Sequence, residues 1–432
     1  MASLRIQSTP LKGKIMAQPS KSMAHRAIIC AALAKGESYI DNVVLSDDIT
    51  ATLGAICALG ADVTLENSLC YRERKSLIIR SQGKVTIKDS VIDCLESGST
   101  ARFIMPITRT TSDFVTLTGR GRLVERPFAL YNELFTKKGV NYTDCGGKMP
   151  ITLSGQLVSG EYSLPGDVSS QFISGLLFAL PLLKGSSKIA ITNKLESLPY
   201  VKMTIEVLRD FGIIITCDPD YQSFEIPGEQ SYKPISSYVV EGDWSQAAFF
   251  CVMGALSESL TLEGLRIDSL QGDKVILDIL QRMGAETFFD QHGITFKKSE
   301  LRGLDIDVSQ CPDLVPAIAV AASVAKGTTH IKNAARLRIK ESDRLETTCR
   351  ELGILGAKII EEPDGLIIKG VSHLTGGTTH GSGDHRIVMA LATASTVCKS
   401  IVEIEGSDAI KKSYPAFWED FKALGGMVEA YE

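Results

Sequence analysis

Six stretches of the chain share one pattern: apolar residues at helical spacing lead up to a glycine, and a short run of branched residues follows. AICALGADVTL and VLRDFGIIIT are two examples. The six glycines lie at intervals of 69 to 79 residues: Gly60, Gly139, Gly212, Gly284, Gly356 and Gly425. A helix often closes on a left-handed glycine, and branched residues favour the strand that follows. The pattern predicts six repeats of about 72 residues.

Each repeat also contains an earlier helix that starts in a polar cluster and continues as an apolar run. The six starts read PSKSMAHR, ESGSTARF, DVSSQF, GDWSQAAFF, CPDLVPA and GDHRIVMA. The helices that end at the glycines start at SDDITAT, ERPFALYNE, SLPYVKMTI, GDKVILDIL, KESDRLETT and KSYPAFWED. Ser, Asp and Pro recur at these starts, as helix capping predicts. Each repeat therefore reads as strand, helix, strand, helix and strand, with room for one more strand.

The repeats predict an α/β protein, but not an ordinary doubly wound one. Neither GxGxxG nor GxxxxGK[ST] follows a predicted strand, so dinucleotide and P-loop sites gain no support. The period alone leaves open a solenoid, a propeller or two groups of three repeats. Three repeats per domain would give two domains of about 215 residues, close to a usual domain size. The expected crossings between the domains lie near Gln18–Ser20 and Ser237–Glu241.

Composition and charge fit a globular protein and exclude some partners. Hydrophobic residues make up 44% and charged residues 22% of the chain, so it can bury sizeable cores. The net charge is −5, whereas nucleic-acid and membrane-surface binders usually carry a basic excess. The longest apolar stretch, Phe172–Leu183, is too short to span a bilayer. We therefore expect neither a nucleic acid nor a membrane as partner.

The ten cysteines show no metal-ligand spacing. No two form a C-x-x-C pair, and none stands beside a histidine, which argues against zinc and iron–sulfur sites. Most lie in apolar runs, as Cys30 and Cys251 do, where cysteine behaves as a small buried hydrophobe. With no apolar signal segment in the sequence, we expect reduced thiols and a cytoplasmic protein.

Basic and hydroxyl side chains gather at the predicted helix starts. A helix N-terminus offers free N–H groups and a partial positive charge, so these side chains build a site for phosphate or carboxylate. A lone Ser or Asp there would be an ordinary N-cap, and a lone Arg a solvated surface charge. Basic residues oppose the helix dipole at this end, however. Helix starts therefore prefer acidic residues, but five of the predicted starts carry a basic one: Lys21, Arg126, Lys340, Arg386 and Lys412. We therefore predict a ligand, or a pair of ligands, with several negative charges.

Four titratable groups lie beside these cations. Asp313 follows a proline at a helix start, and Glu341 stands between Lys340 and Arg344. By themselves they would be a cap and a first-turn acid, but in an anion site one can accept a proton while the other donates one. His25 and His385 are candidates either for acid–base chemistry or for packing and orienting roles.

The order of the motifs resembles one known family across essentially the whole chain. The motifs are PSKSMAHR, SGSTAR, GRLVERP, DVSSQF, SLPY, EGDWSQAAFF, QGD, PDLVPA, RIKESDR, GDHRIVMA and KKSYP. Any one is weak, but together they are similar to the EPSP synthase family of enolpyruvyl transferases, known as targets of the inhibitor glyphosate.

The resemblance implies a fold and a reaction. The fold is a two-domain inside-out α/β barrel of six βαβαββ units, with a cleft that closes on substrate. Residues 20–238 would form the upper domain, and residues 1–19 with 239–432 the lower one, completed by the N-terminal strand. The family transfers the enolpyruvyl group of phosphoenolpyruvate to the 5-hydroxyl of shikimate 3-phosphate, in the pathway to chorismate and aromatic amino acids. It needs no metal or cofactor, and we expect a cytoplasmic monomer.

The resemblance also implies roles for individual residues. Asp313 would be the proton acceptor and Glu341 the proton donor, with Lys21 and Lys412 also catalytic. Shikimate 3-phosphate would be bound by Lys21, Ser22, Arg26, Ser169, Ser170, Gln171, Ser197, Tyr200, Asp313, Arg336 and Lys340. Phosphoenolpyruvate would be bound by Lys21, Gly98, Arg126, Gln171, Arg344, His385, Arg386 and Lys412.

Three positions depart from the family pattern. Glu96 stands where an asparagine is usual, and Ser99 where a threonine is usual. These two leave open the shape of the phosphoenolpyruvate pocket and the sensitivity to glyphosate. Arg336 aligns with an asparagine that can bind the substrate phosphate, which an arginine can also do.

Three other functions fit parts of the pattern. The enolpyruvyl transferase that acts on UDP-N-acetylglucosamine shares the fold but typically uses a loop cysteine, and Asp113–Arg122 contains none. RNA 3′-phosphate cyclase shares the βαβαββ unit, but the acidic net charge argues against it. A non-catalytic anion-binding scaffold is opposed only by the presence of both Asp313 and Glu341.

Overall fold

A computed structural model of the protein describes residues 3–71, 73–291 and 293–431. Residues 1, 2 and 432, at the ends of the predicted lower domain, lie outside this description. The chain divides into two compact units. Unit A is Pro19–Glu241, and unit B is Met1–Gln18 together with Gly242–Glu432. Unit B therefore begins the chain, with strands β1 (Ser3–Gln7) and β2 (Lys12–Met16).

Unit A contains six α-helices and twelve strands among the described residues. The helices are α1 Lys21–Leu33, α2 Asp47–Ala58, α3 Gly98–Thr108, α4 Ala129–Lys137, α5 Ser170–Ala179 and α6 Leu198–Asp210. The strands are β3 Lys35–Val43, β4 Asp62–Asn67, β5 Lys75–Gln82, β6 Val91–Asp93, β7 Val115–Thr118, β8 Asn141–Thr143, β9 Ile151–Ser154, β10 Glu161–Leu164, β11 Ser187–Ile191, β12 Thr216–Cys217, β13 Ser223–Ile226 and β14 Tyr238–Val239.

Unit B continues with six further α-helices and ten further strands in the described part of the chain. The helices are α7 Trp244–Leu256, α8 Ile276–Met283, α9 Val315–Ser323, α10 Arg344–Ile354, α11 His385–Ser395 and α12 Phe417–Ala423. The strands are β15 Ser259–Glu263, β16 Glu286–Asp290, β17 Gly293–Lys297, β18 Asp305–Asp307, β19 Thr328–Lys332, β20 Lys358–Glu362, β21 Gly365–Lys369, β22 Gly377–His380, β23 Val402–Glu405 and β24 Met427–Tyr431.

Each unit is built from three repeats, and each repeat has one four-stranded sheet. The repeat with strands β6 to β9 shows the plan: the sheet order is β6-β7-β9-β8, β6 and β7 are parallel, and the other neighbours are antiparallel. Helix α3 connects β6 to β7, and α4 connects β7 to β8. This is a βαβαββ unit, and the predicted six-repeat α/β fold is confirmed.

Three of the six sheets contain a strand from a distant part of the chain. In unit A, β14 pairs in parallel with β3 and supplies the first strand of the first repeat. In unit B, β2 does the same for the repeat of β15, β16 and β17. Strand β1 lies between β23 and β24, antiparallel to both, and supplies the last strand of the last repeat.

The glycines that mark the repeat in the sequence also mark it in the backbone. All six have positive φ angles, between 80° and 105°. Each stands at the end of the second helix of its repeat, where α2, α4, α6, α8, α10 and α12 stop. A left-handed residue at a helix end strongly favours glycine, which explains why the sequence alone could locate these helix ends.

Within each unit, the first helix of a repeat is the most buried element. Every residue of α9 and α11 is buried, and so is nearly all of α7. The sheets, by contrast, expose one face or more; β16 is mostly exposed. Helices inside and sheets outside are the arrangement that the sequence resemblance implied. No helix in the described residues is both long and apolar enough to cross a membrane.

The cysteines follow the prediction only in part. All ten are free thiols, and five of them are buried: Cys30, Cys94, Cys251, Cys311 and Cys398. Cys70 and Cys145 are exposed instead, because both lie in loops of polar residues outside the apolar runs.

Close packing of α3 against α5 depends on Gly175. A Cβ atom there would overlap with Tyr131 Oη and with the carbonyl oxygen of Arg102. Gly54, in α2, is exposed and has no atom within 4 Å of its Cβ position. We predict that Gly175→Ala destabilises the protein by about 1–3 kcal/mol through overpacking. The control Gly54→Ala should stabilise it by about 0.5–1 kcal/mol through helix propensity. Urea unfolding followed by circular dichroism measures both, and equal midpoints for the two variants would contradict the packing argument.

Candidate active site

Arg344 is the centre of a charged cluster in unit B. It is the first residue of α10 and is 1% exposed. Its Nη1 donates to Asp313 Oδ1 at 2.8 Å, and its Nη2 donates to Glu341 Oε2 at 2.7 Å. Its Nε donates to Asp384 Oδ2 at 2.7 Å. One guanidinium therefore holds both carboxylates that the sequence singled out.

Asp384 anchors this cluster from the start of α11. It is fully buried and accepts a hydrogen bond from the backbone N–H of Arg386 at 2.9 Å, as an N-cap. Its side chain also accepts from Ser342 Oγ at 3.0 Å and from Arg344 Nη2 at 3.1 Å. A buried charge that loses its partner costs about 3–5 kcal/mol, so Asp384 and Arg344 fix each other. In the sequence, Asp384 carries no signal beyond ordinary helix capping in the GDHR motif.

Three cations face Asp313, which lies in the 3-10 helix just before α9. Besides Arg344, Lys340 Nζ lies 3.4 Å from its Oδ1, and Arg386 Nη2 lies 3.6 Å from its Oδ2. Burial by itself disfavours the ionised carboxylate, but the charges of Lys340, Arg386 and Arg344 outweigh it and hold the pKa of Asp313 well below its usual range. Asp313 is therefore ionised and can act as a proton acceptor.

The other predicted cations of unit B lie around the same cluster. Arg336 donates from Nη2 to the carbonyl oxygen of Ser309 at 2.7 Å. Burial lowers the pKa of Lys340, and the charges of Arg344 and Arg336 lower it further, while Asp313 and Glu341 oppose this shift. The positive charge of Arg336 is thus felt at Lys340, on the same side of the cluster as Asp313.

His385 and Lys412 lie beside α11. His385 begins that helix, is 1% exposed, and has its Nδ1 3.8 Å from Asp384 Oδ1. Lys412 ends the 3-10 helix Ser407–Lys412, which packs against α11, and is also buried. Helix α11 thus begins with two predicted residues, His385 and Arg386, and packs against the 3-10 helix that ends at Lys412.

In unit A, the start of α1 carries the first predicted group. Ser20 caps the helix by accepting from the backbone N–H of Met23. Lys21 Nζ lies 2.6 Å from Asp48 Oδ2 of α2, and both side chains are largely buried. Ser22 accepts at its backbone carbonyl from Arg26 Nη1 at 2.7 Å. These contacts hold Lys21 and Ser22 in place at the start of α1.

Arg26 is buried without a carboxylate among its hydrogen-bond partners. It is 2% exposed, and Nε donates to Thr204 Oγ1 at 2.8 Å, while Nη2 donates to the carbonyl oxygen of Tyr200 at 3.0 Å. Its guanidinium carbon also lies 5.2 Å from the centre of the Phe103 ring. Burial lowers its pKa to about 10, so it stays charged at neutral pH. These partners are neutral oxygens, which leaves the charge of Arg26 available to an anion.

Gly98 lets an arginine approach the start of α3. It is the first residue of that helix, and a Cβ atom there would lie 2.6 Å from Arg126 Nη1 and 3.0 Å from Arg102 Nη1. Any larger residue would displace these guanidinium groups. The helix N-terminus and Arg126 together form the kind of site that binds phosphate or carboxylate.

Gln171 is held between α3 and α5 by a residue that sequence analysis passed over. Its Oε1 accepts from Arg102 Nη1 at 2.8 Å, and its Nε2 donates to Ser99 Oγ at 2.9 Å. Arg102 lies 5.1 Å from the ring centres of both Phe128 and Phe172. The SGSTAR motif contains Arg102, so a signal was present. Its mid-helix position, however, gave no reason to set it apart.

The remaining predicted residues lie at the starts of α5 and α6. Ser169 caps α5 and accepts from the backbone N–H of Gln171 at 3.3 Å, with Ser170 next to it. Ser197 precedes α6 and has φ 52° and ψ 37°, a left-handed conformation that is uncommon outside glycine. Tyr200 lies in the first turn of α6, and its carbonyl accepts from Arg26. Strained backbone of this kind is concentrated at functional sites.

The two departures at the start of α3 have defined places. Ser99 accepts from Gln171, as a threonine hydroxyl also could. Glu96 lies against Gly121, which has φ 51°, and a Cβ atom on that glycine would lie 2.5 Å from Glu96 Oε1. The carboxylate is thus accommodated by the glycine that begins the 3-10 helix Gly121–Glu125, just before Arg126.

A chain of buried polar side chains ties α1, α2 and α3 together. His25 Nδ1 lies 2.6 Å from Thr52 Oγ1, which lies 2.7 Å from Thr100 Oγ1. Thr100 Oγ1 donates to Ser97 Oγ, the cap of α3, at 2.7 Å. His25 is fully buried, and burial lowers its pKa to about 3. Its imidazole is neutral at physiological pH, which favours an orienting role over acid–base chemistry.

Taken separately, each unit gathers groups suited to anions. Unit A offers the starts of α1 and α3 with Lys21, Arg26 and Arg126, and unit B pairs a cluster of cations with two carboxylates. In the described residues, no three or more His, Cys, Asp or Glu side chains are placed to hold a metal ion. The chemistry on offer is therefore anion binding with proton transfer.

Comparison with known proteins finds a matching family, close relatives in sequence and a similar solved structure. The sequence matches the family described as EPSP synthase (3-phosphoshikimate 1-carboxyvinyltransferase) over residues 6–421. A 3-phosphoshikimate 1-carboxyvinyltransferase of Clostridium kluyveri is 48% identical over 431 residues, covering 100% of this chain and 99% of that protein. One of the same name from Clostridium acetobutylicum is 48% identical over 432 residues, with the same coverage. The structure of an EPSP synthase from Acinetobacter baumannii has a TM-score of 0.82 and 26% identity, with complete coverage of both chains.

The neutral state of His25 can be tested directly. We predict that its imidazole does not titrate between pH 8 and 5, because burial holds its pKa near 3. The unfolded chain, with a histidine pKa of 6.5, takes up the proton first, so His25 makes folding less favourable as pH falls from 6.5 towards 3. Long-range 1H–15N NMR of the imidazoles measures this, with His25→Gln identifying the resonance. A titration midpoint near 6.5 for that resonance would contradict the prediction.

Proposed function

The chain belongs to the EPSP synthase (3-phosphoshikimate 1-carboxyvinyltransferase) family, and on that premise we propose how its residues carry out the family's reaction. The protein transfers the enolpyruvyl group of phosphoenolpyruvate to the 5-hydroxyl of shikimate 3-phosphate and releases phosphate. It is a transferase of the shikimate pathway, EC 2.5.1.19. Transfer to a nucleotide sugar is not favoured, because the matched family and the two Clostridium relatives described above carry the shikimate name.

The observation that carries this proposal is the pair of carboxylates on Arg344. Addition of a hydroxyl to the double bond of phosphoenolpyruvate needs a group that removes the hydroxyl proton and a group that protonates the methylene carbon. Asp313 and Glu341 are the two carboxylates, and Arg344 holds both within hydrogen-bond distance. We assign the first step to Asp313 and the second to Glu341.

The basicity of Asp313 would rise when the substrates bind. In the free protein, Lys340, Arg386 and Arg344 hold its pKa well below the usual range, which makes it a weak base. Phosphate and carboxylate groups bound by the same cations would offset their charge, and the pKa of Asp313 would move up towards that of a useful base. Binding of both anions would thus activate the acceptor.

The cations of unit B would hold phosphoenolpyruvate through the reaction. Arg344, Arg386 and Lys412 are buried cations, and charge-assisted hydrogen bonds are strongest where water is excluded. In the tetrahedral intermediate, the carbon that bore the double bond carries both the new ether oxygen and the phosphate. These cations, with His385 nearby, would stabilise its negative charge before the bond between carbon and the phosphate oxygen breaks. As phosphate leaves, the methyl group formed in the first step loses a proton, and the double bond forms again.

Unit A would contribute the remaining contacts to the substrates. Shikimate 3-phosphate suits the hydroxyl-rich helix starts, so we assign the binding of this substrate to Ser22, Arg26, Ser169, Ser170, Gln171, Ser197 and Tyr200. Lys21 would contact both substrates and assist catalysis. Arg126 and Gly98 would bind phosphoenolpyruvate. In unit B, Lys340 would bind the shikimate hydroxyls and Arg336 the substrate phosphate. The expectation of a cytoplasmic monomer without a cofactor stays a prediction.

Phosphate release tests the reaction. We predict that the purified protein releases phosphate from phosphoenolpyruvate when shikimate 3-phosphate is added, and not when UDP-N-acetylglucosamine is added. A coupled colorimetric phosphate assay measures both. Release only with the nucleotide sugar would keep the fold and overturn the acceptor. Ligand-induced thermal stabilisation with no release would favour an anion-binding scaffold.

Substitution of the two carboxylates tests their roles. We predict that Asp313→Asn and Glu341→Gln each lower kcat at least about a hundredfold, because each removes one proton transfer. Both variants should still bind the substrates in calorimetry. Matched controls are Asp305→Asn and Glu300→Gln, which change exposed acids of unit B. Near-normal kcat in either active-site variant would remove that residue from the mechanism.

A further inference from the structure

Asp273 is a buried acid that the proposed mechanism does not use. It belongs to the QGD motif and lies in the 3-10 helix Gly272–Val275, just before α8. Only 2% of the residue is exposed. The 3-10 helix packs against α7, whose first turn contains Ser245. A carboxylate so deeply buried needs a reason, since burying it costs free energy unless its partners compensate.

Ser245 links Asp273 to Arg386. Arg386 Nη2 donates to Ser245 Oγ at 2.6 Å, and Ser245 is hydrogen-bonded to the Asp273 carboxylate. A hydroxyl carries one proton. Since the Ser245 oxygen accepts from Arg386, its proton is directed to Asp273. Two hydrogen bonds in series thus connect the acid to the guanidinium.

Arg386 is held from two sides. On one side, its Nη1 donates to the backbone oxygen of Asp313 at 3.2 Å, and its Nη2 lies 3.6 Å from Asp313 Oδ2. On the other side is Ser245, at the shortest of these distances. Asp313 is the acid assigned to proton transfer, so its contact with Arg386 changes during the reaction. The contact through Ser245 does not take part in that transfer and can keep Arg386 in place.

We propose that Asp273 is a positioning residue for the transfer reaction: it orients the Ser245 hydroxyl, which holds the Arg386 guanidinium in position to bind phosphoenolpyruvate. This inference rests on the proposed function. It requires an ionised Asp273, since a protonated carboxyl group would donate to Ser245 and compete with Arg386 for its oxygen.

Because of its surroundings, Asp273 ionises within the pH range in which enzyme activity can be assayed. The charged and titratable groups that face it are Asp313, Arg386, Asp243 and Cys311, with the Ser245 hydroxyl. Burial and then repulsion from Asp313 raise the pKa of Asp273 to about 6, while Arg386 and Ser245 oppose the rise. The connection should therefore be intact at pH 8 and largely broken at pH 5.

The first test is a comparison of Asp273→Asn with the wild type across pH. At pH 8 we expect KM for phosphoenolpyruvate to rise about tenfold, because the variant loses one hydrogen bond to a charged group. The change in kcat should be smaller. The ratio of wild-type to variant kcat/KM should fall towards one at pH 5. Ionisation of the substrates cancels in this ratio. The control Asp278→Asn changes an exposed acid of α8 and should leave KM unchanged at every pH.

The second test asks whether Asp273 acts through Ser245. Ser245→Ala should raise KM for phosphoenolpyruvate by a similar factor, and the double variant should be no worse than either single one. The proposal would be overturned if the ratio of wild-type to Asp273→Asn kcat/KM did not depend on pH. It would also be overturned if the two substitutions had additive effects on KM in the double variant. If Asp273→Asn fails to fold in circular dichroism, the pH profile of Ser245→Ala decides in the same way. Absence of phosphate release by the wild type would instead overturn the proposed function itself.

Discussion

Burial of positive charge is the constraint on which the rest of the structure depends. Arg26, Arg102 and Arg344 are each no more than 2% exposed. A guanidinium removed from water must find acceptors for its five N–H groups or the fold loses several kcal/mol. The acceptors come from other helices: Thr204 from α6 for Arg26, Gln171 from α5 for Arg102, and Asp384 before α11 for Arg344. The repeats within each unit therefore have to pack in one register, and the packing that satisfies the arginines also assembles the site.

The buried arginines of the two units have different kinds of hydrogen-bond partner. In unit A, Arg26 is compensated by neutral oxygens, so its positive charge remains for a ligand. In unit B, the carboxylates of Asp313, Glu341 and Asp384 surround Arg344, and its charge is largely used within the protein. Neutral partners suit a surface that binds an anion during the whole reaction. Carboxylate partners suit a surface where protons move, because their affinity for a proton changes when an anion arrives.

Local features could be predicted from the sequence and distant contacts could not. Glycines such as Gly212 and Gly284 marked helix ends because a left-handed residue is a local requirement of the backbone. The basic helix starts were found because each breaks a local electrostatic preference. Arg102, Asp273 and Asp384 were passed over because their importance lies in contacts with other helices. The strand that β14 lends to the first repeat was also hidden, since a two-residue strand has no periodic pattern to recognise.

The position of β1 has a consequence for the order in which the protein can be completed on the ribosome. This strand leaves the exit tunnel before the other described strands, yet its neighbours are β23 and β24, which follow all of them along the chain. Unit A can close all three of its sheets once β14 has emerged. The nascent chain must carry β1 and β2 unpaired throughout that time, with their backbone edges open to other partners. Unit B can therefore be completed only after β24 has emerged, and the short length of β1 limits the risk of mispairing before that point.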